Sequence, residues 1–245
     1  MQIAAAKAHS PVEAAKKLRA LRADLASVDD NFSMAVAFHE VWKPASQDAA
    51  LHDRMGTSYA SQAFLVVRAA LRREMLLALM RIWDKTTGAR SLVKIVATLR
   101  NEAVWEALLL DRLNKLGDQA VAAHLTPHFI GQRELLLHGF DKYCRGGTHY
   151  AVYERLRNLR HGSLAHSQAP TAGVVLVDPA DDEVSEFYED TAKLTSVSMS
   201  LINGVAIAYS DTSGVYSHYA MFFWASARGE RTDGHPNYRR PDNAA

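Results

Sequence analysis

The chain has 245 residues, 48% hydrophobic and 22% charged, with 28 Lys and Arg against 27 Asp and Glu for a formal charge of +1. This balance suits a soluble protein with a sizeable core and excludes a global positive field that would gather nucleic acid, so any anion site must be a local cluster. Cys144 is the single cysteine, which excludes an intrachain disulfide and points to a reducing cytoplasm. The N-terminal MQIAAAKAHSPVEAAKK reads as lacking the apolar core of a signal peptide, and no apolar run nears the ~20 residues of a membrane span.

In chain order, Ser10-Pro11 predicts a helix start, with the helix running to about residue 27. Asp29 or Asp30 is expected to cap a second helix, FSMAVAFHEVW, ending before Pro44. A long helix is expected over roughly 46–84, with a bend or break at Gly56. Its second half, FLVVRAALRREMLLALMRIW, is interrupted by Arg68, Arg72, Arg73 and Arg81, which makes it an amphipathic core helix. DKTTGAR reads as a loop. Ser91 is expected to cap the helix SLVKIVATLRNEAVW, where Leu92, Ile95, Val96 and Leu99 recur at i, i+3, i+4 and i+7. Helices over about 108–124 and 126–143 follow, the latter opened by Thr126-Pro127, and CRGGT marks a break. YAVYERLRNLR is a further helix. SQAPTAGVVLVDP reads as a linker in which Val174–Val177 could be extended. Asp181 or Asp182 starts a long helix reaching about residue 210, and an aromatic helix covers roughly 213–227. The fold class is all-α: an antiparallel helical bundle with additional N- and C-terminal helices. The expected organisation is an N-terminal helical extension over 1–45, a helical domain over 46–228, and a polar, mobile tail over 229–245.

The chemistry concentrates in residues 155–168, RLRNLRHGSLAHSQ. Cations at a helix end are ordinary, because they favour the negative end of the helix dipole, and Gly162 is an ordinary stop. The spacing also allows more. Arg157, Arg160 and His161 share one helix face, while Leu156 and Leu159 can pack inward. On a straight helix His166 lies about 120° around from Arg160. Gly162 offers the break that would let it return; in a dimer, the His of one chain could instead meet the Arg of the other. A neutral imidazole can take a proton from a ribose 2′-OH or give one to a leaving oxygen. A guanidinium holds phosphate oxygens and stabilises charge in the transition state. Together they suffice for RNA cleavage without metal, leaving a 2′,3′-cyclic phosphate and sparing DNA.

Arg160-His161-Gly-Ser-Leu-Ala-His166-Ser resembles the motif of the HEPN superfamily: Arg, a polar residue, four to six variable positions, then His. The phage abortive-infection, AbiU-like branch is the most similar. It is also matched by the long helix ending Arg-Ile-Trp-Asp84, the short loop before Ser91-Leu92, and the Pro-containing linker followed by an acidic-start helix. The resemblance covers roughly residues 55–210. It implies a homodimeric, metal-independent ribonuclease whose two motifs line a shared cleft, often as a toxin or antiviral effector, acting on single-stranded or loop RNA, with an antitoxin among the partners it allows. It carries no cofactor. Carried over, Arg160 is the phosphate-binding arginine and His166 the catalytic histidine. His161 stands at the position where Asn or Asp is usual. Arg157-Asn158 offers an alternative register, but its spacing to His166 is too long for the motif. Ser167 and Gln168 stand where some toxins of the superfamily carry a modifiable Tyr, so that regulation is not expected. The alternative reading is a non-catalytic nucleotide- or RNA-binding module, or a helical interaction partner in a defence system.

Elsewhere the signals are weaker. Asp84 lies at a helix C-terminus, where an acid is unfavourable; it either caps its loop or pairs with an arginine such as Arg160. His124 and His128 have the i, i+4 spacing of a metal pair, but Pro127 between them is expected to spoil the shared face, so no metal site is expected. Cys144 has no CxxC partner. The aromatic run 215–224 reads as core or dimer packing, or as a base-stacking surface if it lies beside Arg160.

Overall fold

The structure is a computed structural model and describes residues 11–160 and 179–239. Among these residues there are nine α-helices and no strand. The fold is all-α, an antiparallel helical bundle with further helices at both ends. The linker expected around residues 167–178, with its extended Val174–Val177, lies outside the described residues.

The chain forms two compact units, Met1–Phe32 with Leu79–Ile207 and Ser33–Ala78 with Ala208–Ala245. Helix α1 (Pro11–Gln47) is continuous where two helices were expected. Leu18, Leu21, Leu25, Val28, Phe32, Ala35 and Val36 are all buried. This stripe at three- and four-residue steps carries the helix past Asp29 and Asp30, which lie off it and so have no cap to make. Pro44 falls inside the last turn.

In the first unit, α4 (Leu92–Leu99), α5 (Glu102–Asn114), α6 (Gln119–Asp141), α7 (Tyr150–Leu159) and α8 (Asp181–Ser198) follow the end of α3 (Ala60–Ile82). Leu92, Ile95, Val96 and Leu99 are buried, as their spacing predicts. The helix stops earlier than expected because Asn101 caps α5, accepting from the Val104 N–H at 3.2 Å. Asp118 likewise starts α6 by accepting from Ala120 N and Val121 N. Thr126-Pro127 is therefore an interior step of α6, where Thr126 Oγ1 donates to the Ala122 carbonyl at 2.8 Å. The core centres on Trp83. It stacks on Phe140 at 5.1 Å and meets Tyr143, Tyr153 and Phe187, and its Nε1–H donates to Thr191 Oγ1 at 3.0 Å. Lys142 bridges Glu186 and Asp190 at 2.6 Å each, and the Tyr143 hydroxyl donates to Asp190, tying the end of α6 to α8. Helix α8 opens at Asp181, with Glu183 reaching back to the Ala180 N–H at 3.1 Å. It closes on a π-turn, Met199–Asn203, so the expected long helix ends earlier than residue 210.

In the second unit, α2 (Ala49–Met55) ends at Gly56, whose φ of +47° makes the expected break. With α9 (Tyr209–Ala225) and parts of α1 and α3 it builds a small core of Ala45, Leu51, Met55, Phe64, Ala220 and Trp224. Trp224 Nε1–H donates to the Val41 carbonyl at 2.8 Å, and Arg54 donates to the Trp224 carbonyl at 3.1 Å. Residues beyond α9 bond back to this unit: Tyr59 N–H to Asp233 O and Thr57 Oγ1 to Gly234 O, each at 3.1 Å.

Candidate functional site: an arginine held at the end of two helices

Helix α7 places the arginines. Val152, Tyr153 and Leu156 are buried, and Arg157 and Arg160, four and seven positions beyond Tyr153, share its side of the helix and sit half-buried at the edge of the core. Arg160 closes α7. The other wall is the end of α3 and the loop after it. There Asp84 is held twice through its backbone and side chain: Ser91 Oγ donates to its carbonyl at 2.7 Å, and its Oδ1 accepts from the Thr86 N–H at 2.9 Å. Ser91 thus begins α4 without capping it, because its hydroxyl is used on the loop.

The two walls meet at Arg160. Its Nη2 donates to Asp84 Oδ2 at 2.8 Å, and its Nη1 donates to the Met80 carbonyl at 3.2 Å. Asp84 therefore fills both roles open to it, one oxygen for each. Arg160 does sit at a helix C-terminus, but the carbonyl it serves is in the last turn of α3, not of α7. These two bonds orient the guanidinium fork and do not exhaust its five N–H donors. The side chains are 22% and 17% exposed. Burial alone would raise the Asp84 carboxyl; the bonds from Thr86 and the charge and bond of Arg160 outweigh it and hold the carboxyl below the usual aspartate range.

A cleft of about 580 Å³ opens here, with Asp84, Lys85, Tyr153, Arg157, Asn158 and Arg160 among its lining residues. Arg157, Asn158 and Arg160 are thus brought together with Asp84. Arg157 also pairs with Glu154 at 3.0 Å. Lys85 and Tyr153 are additions that the sequence reading missed. Lys85 Nζ lies 4.3 Å from the centre of the Tyr153 ring, a cation–π distance. Tyr153 is itself buried, its hydroxyl directed at the Trp83 carbonyl, and burial pushes its phenol up to about 12. The available signal was adjacency: once Asp84 is read as a partner of Arg160, Lys85 must lie beside the same site. His161 and His166 lie outside the described residues.

The remaining candidates separate clearly. Helix α6 runs through Pro127, so His124 and His128 do share a face, contrary to expectation. Among the described residues no group of three or more His, Cys, Asp or Glu is placed to hold a metal. Burial first, and the Asp141 charge second, push the Cys144 thiol up and so favour the un-ionised form. The aromatic helix α9 belongs to the second unit and Arg160 to the first. Its Ala220 and Trp224 are core, while Tyr219, Phe222 and Phe223 are exposed. Among the described residues no helix is long and apolar enough to cross a membrane.

No curated protein and no solved structure matches the chain. The family model for AbiU2, of the HEPN group, matches residues 11–223, from the start of α1 into the last turn of α9. With most of its length matched, the chain belongs to the HEPN AbiU2 family.

Proposed function

We propose that this chain is a metal-independent endoribonuclease acting on single-stranded or loop RNA, as a cytoplasmic homodimer and as an effector of abortive infection. The observation that carries the reading is Arg160, oriented by Asp84 and the Met80 carbonyl at the wall of a cleft that also holds Lys85 and Arg157. A guanidinium pre-oriented in this way spends little reorganisation when charge develops on a phosphate. Membership of a HEPN family agrees with it.

In this reading the imidazole of His166, in its neutral form, removes the proton of the ribose 2′-OH. The 2′-oxygen attacks the adjacent phosphorus, the P–O5′ bond breaks, and the 5′-oxygen leaves with a proton from solvent water, while His166 returns the proton it took to solvent. Arg160 stabilises the charge on the non-bridging oxygens. Asp84 is a positioning residue that acts through Arg160. Lys85 and Arg157 supply the local positive potential that the whole chain, at +1, lacks. His161, at the motif's polar position, either adds a second acid or base or marks a departure from catalytic competence. An antitoxin partner is compatible with the role.

The test is cleavage of a single-stranded RNA in EDTA, with the same sequence as DNA beside it. The reading expects 2′,3′-cyclic ends on the RNA and intact DNA. A second reading, a non-catalytic RNA- or nucleotide-binding module or helical interaction partner, draws on the same ion pair: an arginine already engaged by a carboxylate and a carbonyl is what a structural role would show. RNA bound in an anisotropy titration but never cleaved would favour it.

A further inference from the structure

The second unit holds a cavity of its own, of about 450 Å³, lined by α2, the turn at Gly56 and the first turns of α3. Helical period sets Ser61, Phe64 and Arg68 along one face of α3, with Ser61 and Arg68 about two turns, or roughly 10 Å, apart. His52 of α2 meets the Phe64 ring edge-on, 5.9 Å between centres. Met55 and Phe64 are buried, so the floor of the cavity is apolar.

The polar groups around that floor are unspent. A carbonyl can only accept, so the Nε2–H of His52 donates to Ala45 O at 2.8 Å, and its Nδ1 has no hydrogen-bond partner among the described residues. The Ser61 hydroxyl and the Arg68 guanidinium have no hydrogen-bond or ion-pair partner among them either. Arg68 is half-buried, and no Asp or Glu lines the cavity to oppose its charge. An unopposed guanidinium selects an anion, and its planar fork matches the oxygens of a phosphate. The apolar, aromatic floor selects a flat body attached to that anion. An alkyl carboxylate would meet these two demands but cover His52 Nδ1 and the Ser61 hydroxyl with nothing to bond, which is costly. A nucleobase offers a flat face together with donors and acceptors along its edge.

We infer that this cavity binds a nucleoside monophosphate, its phosphate on Arg68, its base over Phe64 and bonded at the edge to His52 and Ser61. The site is separate from the cleft of Arg160, which belongs to the first unit. A monophosphate has no internucleotide bond to cleave, so the inference stands or falls apart from the cleavage reaction. The experiment is isothermal titration calorimetry of the full chain with each of the ribonucleoside 5′-monophosphates, the matching nucleosides, inorganic phosphate and octanoate. At least one monophosphate should bind once per chain, with its nucleoside and phosphate alone each weaker by about tenfold or more. Arg68→Met should weaken it by about tenfold to a hundredfold, the range of a charge-assisted hydrogen bond. Arg68 makes no bond within the described chain, so that variant should keep its helix content by circular dichroism. Arg160→Met should bind as the native chain does. No binding by any monophosphate, or binding that survives Arg68→Met, overturns the inference. Binding lost in Arg160→Met would put the nucleotide in the RNA cleft and overturn it as well. Octanoate bound through Arg68 where no monophosphate binds would overturn the nucleotide assignment in favour of a plain apolar anion.

Discussion

Replacing Asp84 by Asn separates its two roles. The amide keeps an oxygen for the Thr86 N–H but removes the charge that faces Arg160. Exposed ion pairs contribute about 0–1 kcal/mol, and breaking a buried pair costs about 3–5 kcal/mol. At 17% and 22% exposure, this pair lies between them, and the expected coupling is about 1–2 kcal/mol. A double-mutant cycle of Asp84→Asn and Arg160→Met isolates that coupling from the loss of either side chain alone. The readout is urea unfolding followed by circular dichroism and tryptophan fluorescence. The pH dependence has a definite sign. The Asp84 carboxyl is depressed in the folded chain, so its contribution is complete above the unfolded value of about 3.9 and is lost as pH falls through the lower folded value. The coupling should therefore be the same at pH 7 and pH 5 and shrink below pH 4. A coupling indistinguishable from zero at pH 7, or one that persists undiminished in strong acid, would refute the ion pair as what holds Arg160.

Two more perturbations test the frame of the site. A Cβ at Gly147 would stand 2.2 Å from the Asp141 carbonyl oxygen and 2.4 Å from that of Lys142; neither can yield without moving the loop that leads into α7, so Gly147→Ala should cost about 2–3 kcal/mol in the same unfolding assay. An unchanged midpoint would mean that the chain does not pass there so tightly. Tyr153, pushed up to about 12 by burial, should remain un-ionised as exposed tyrosines titrate near 10. Its raised value means that stability is intact below pH 10 and falls as pH rises toward 12. Comparing the ultraviolet titration of native and Tyr153→Phe protein should assign to this residue a phenol that ionises later than the exposed ones; loss of a phenol titrating near 10 would contradict its burial.

Helix class was legible in the sequence wherever an apolar stripe was long. Leu92, Ile95, Val96 and Leu99 all turned inward, and Gly56 broke the chain where its backbone freedom was expected. The misplaced boundaries share a cause. Asp29, Pro44 and Pro127 are local punctuation that the packing of a continuous stripe overrides, whereas Asn101 and Asp118 are equally local signals that act because the stripe is interrupted beside them. The site was legible in part for a similar reason. The one-face geometry of Arg157 and Arg160 follows from helical period alone, and both line the cleft, while His161, expected on the same face, lies outside the described residues. The acid at the end of α3 was recognisable as out of place, which is why Arg160 could be named among its partners. Lys85 was legible only through its adjacency to Asp84, and its contact with Tyr153 was not, because that depends on how the loop after α3 lies against α7, a tertiary fact that no spacing encodes. The uncovered rings of α9 were hidden too: composition marks a helix as apolar, but only packing reveals which apolar side chains have no cover.

The central claim is that Arg160 and His166 form one catalytic pair. The most direct measurement is cleavage of mixed single-stranded RNA in EDTA by the native chain, Arg160→Ala and His166→Ala, each checked for helix content. The account predicts 2′,3′-cyclic ends from the native chain and a loss of at least about a hundredfold in both variants, the size expected when a general base or a transition-state donor is removed. Equal cleavage by all three folded proteins, or none from the native chain across varied RNA sequences, would contradict it.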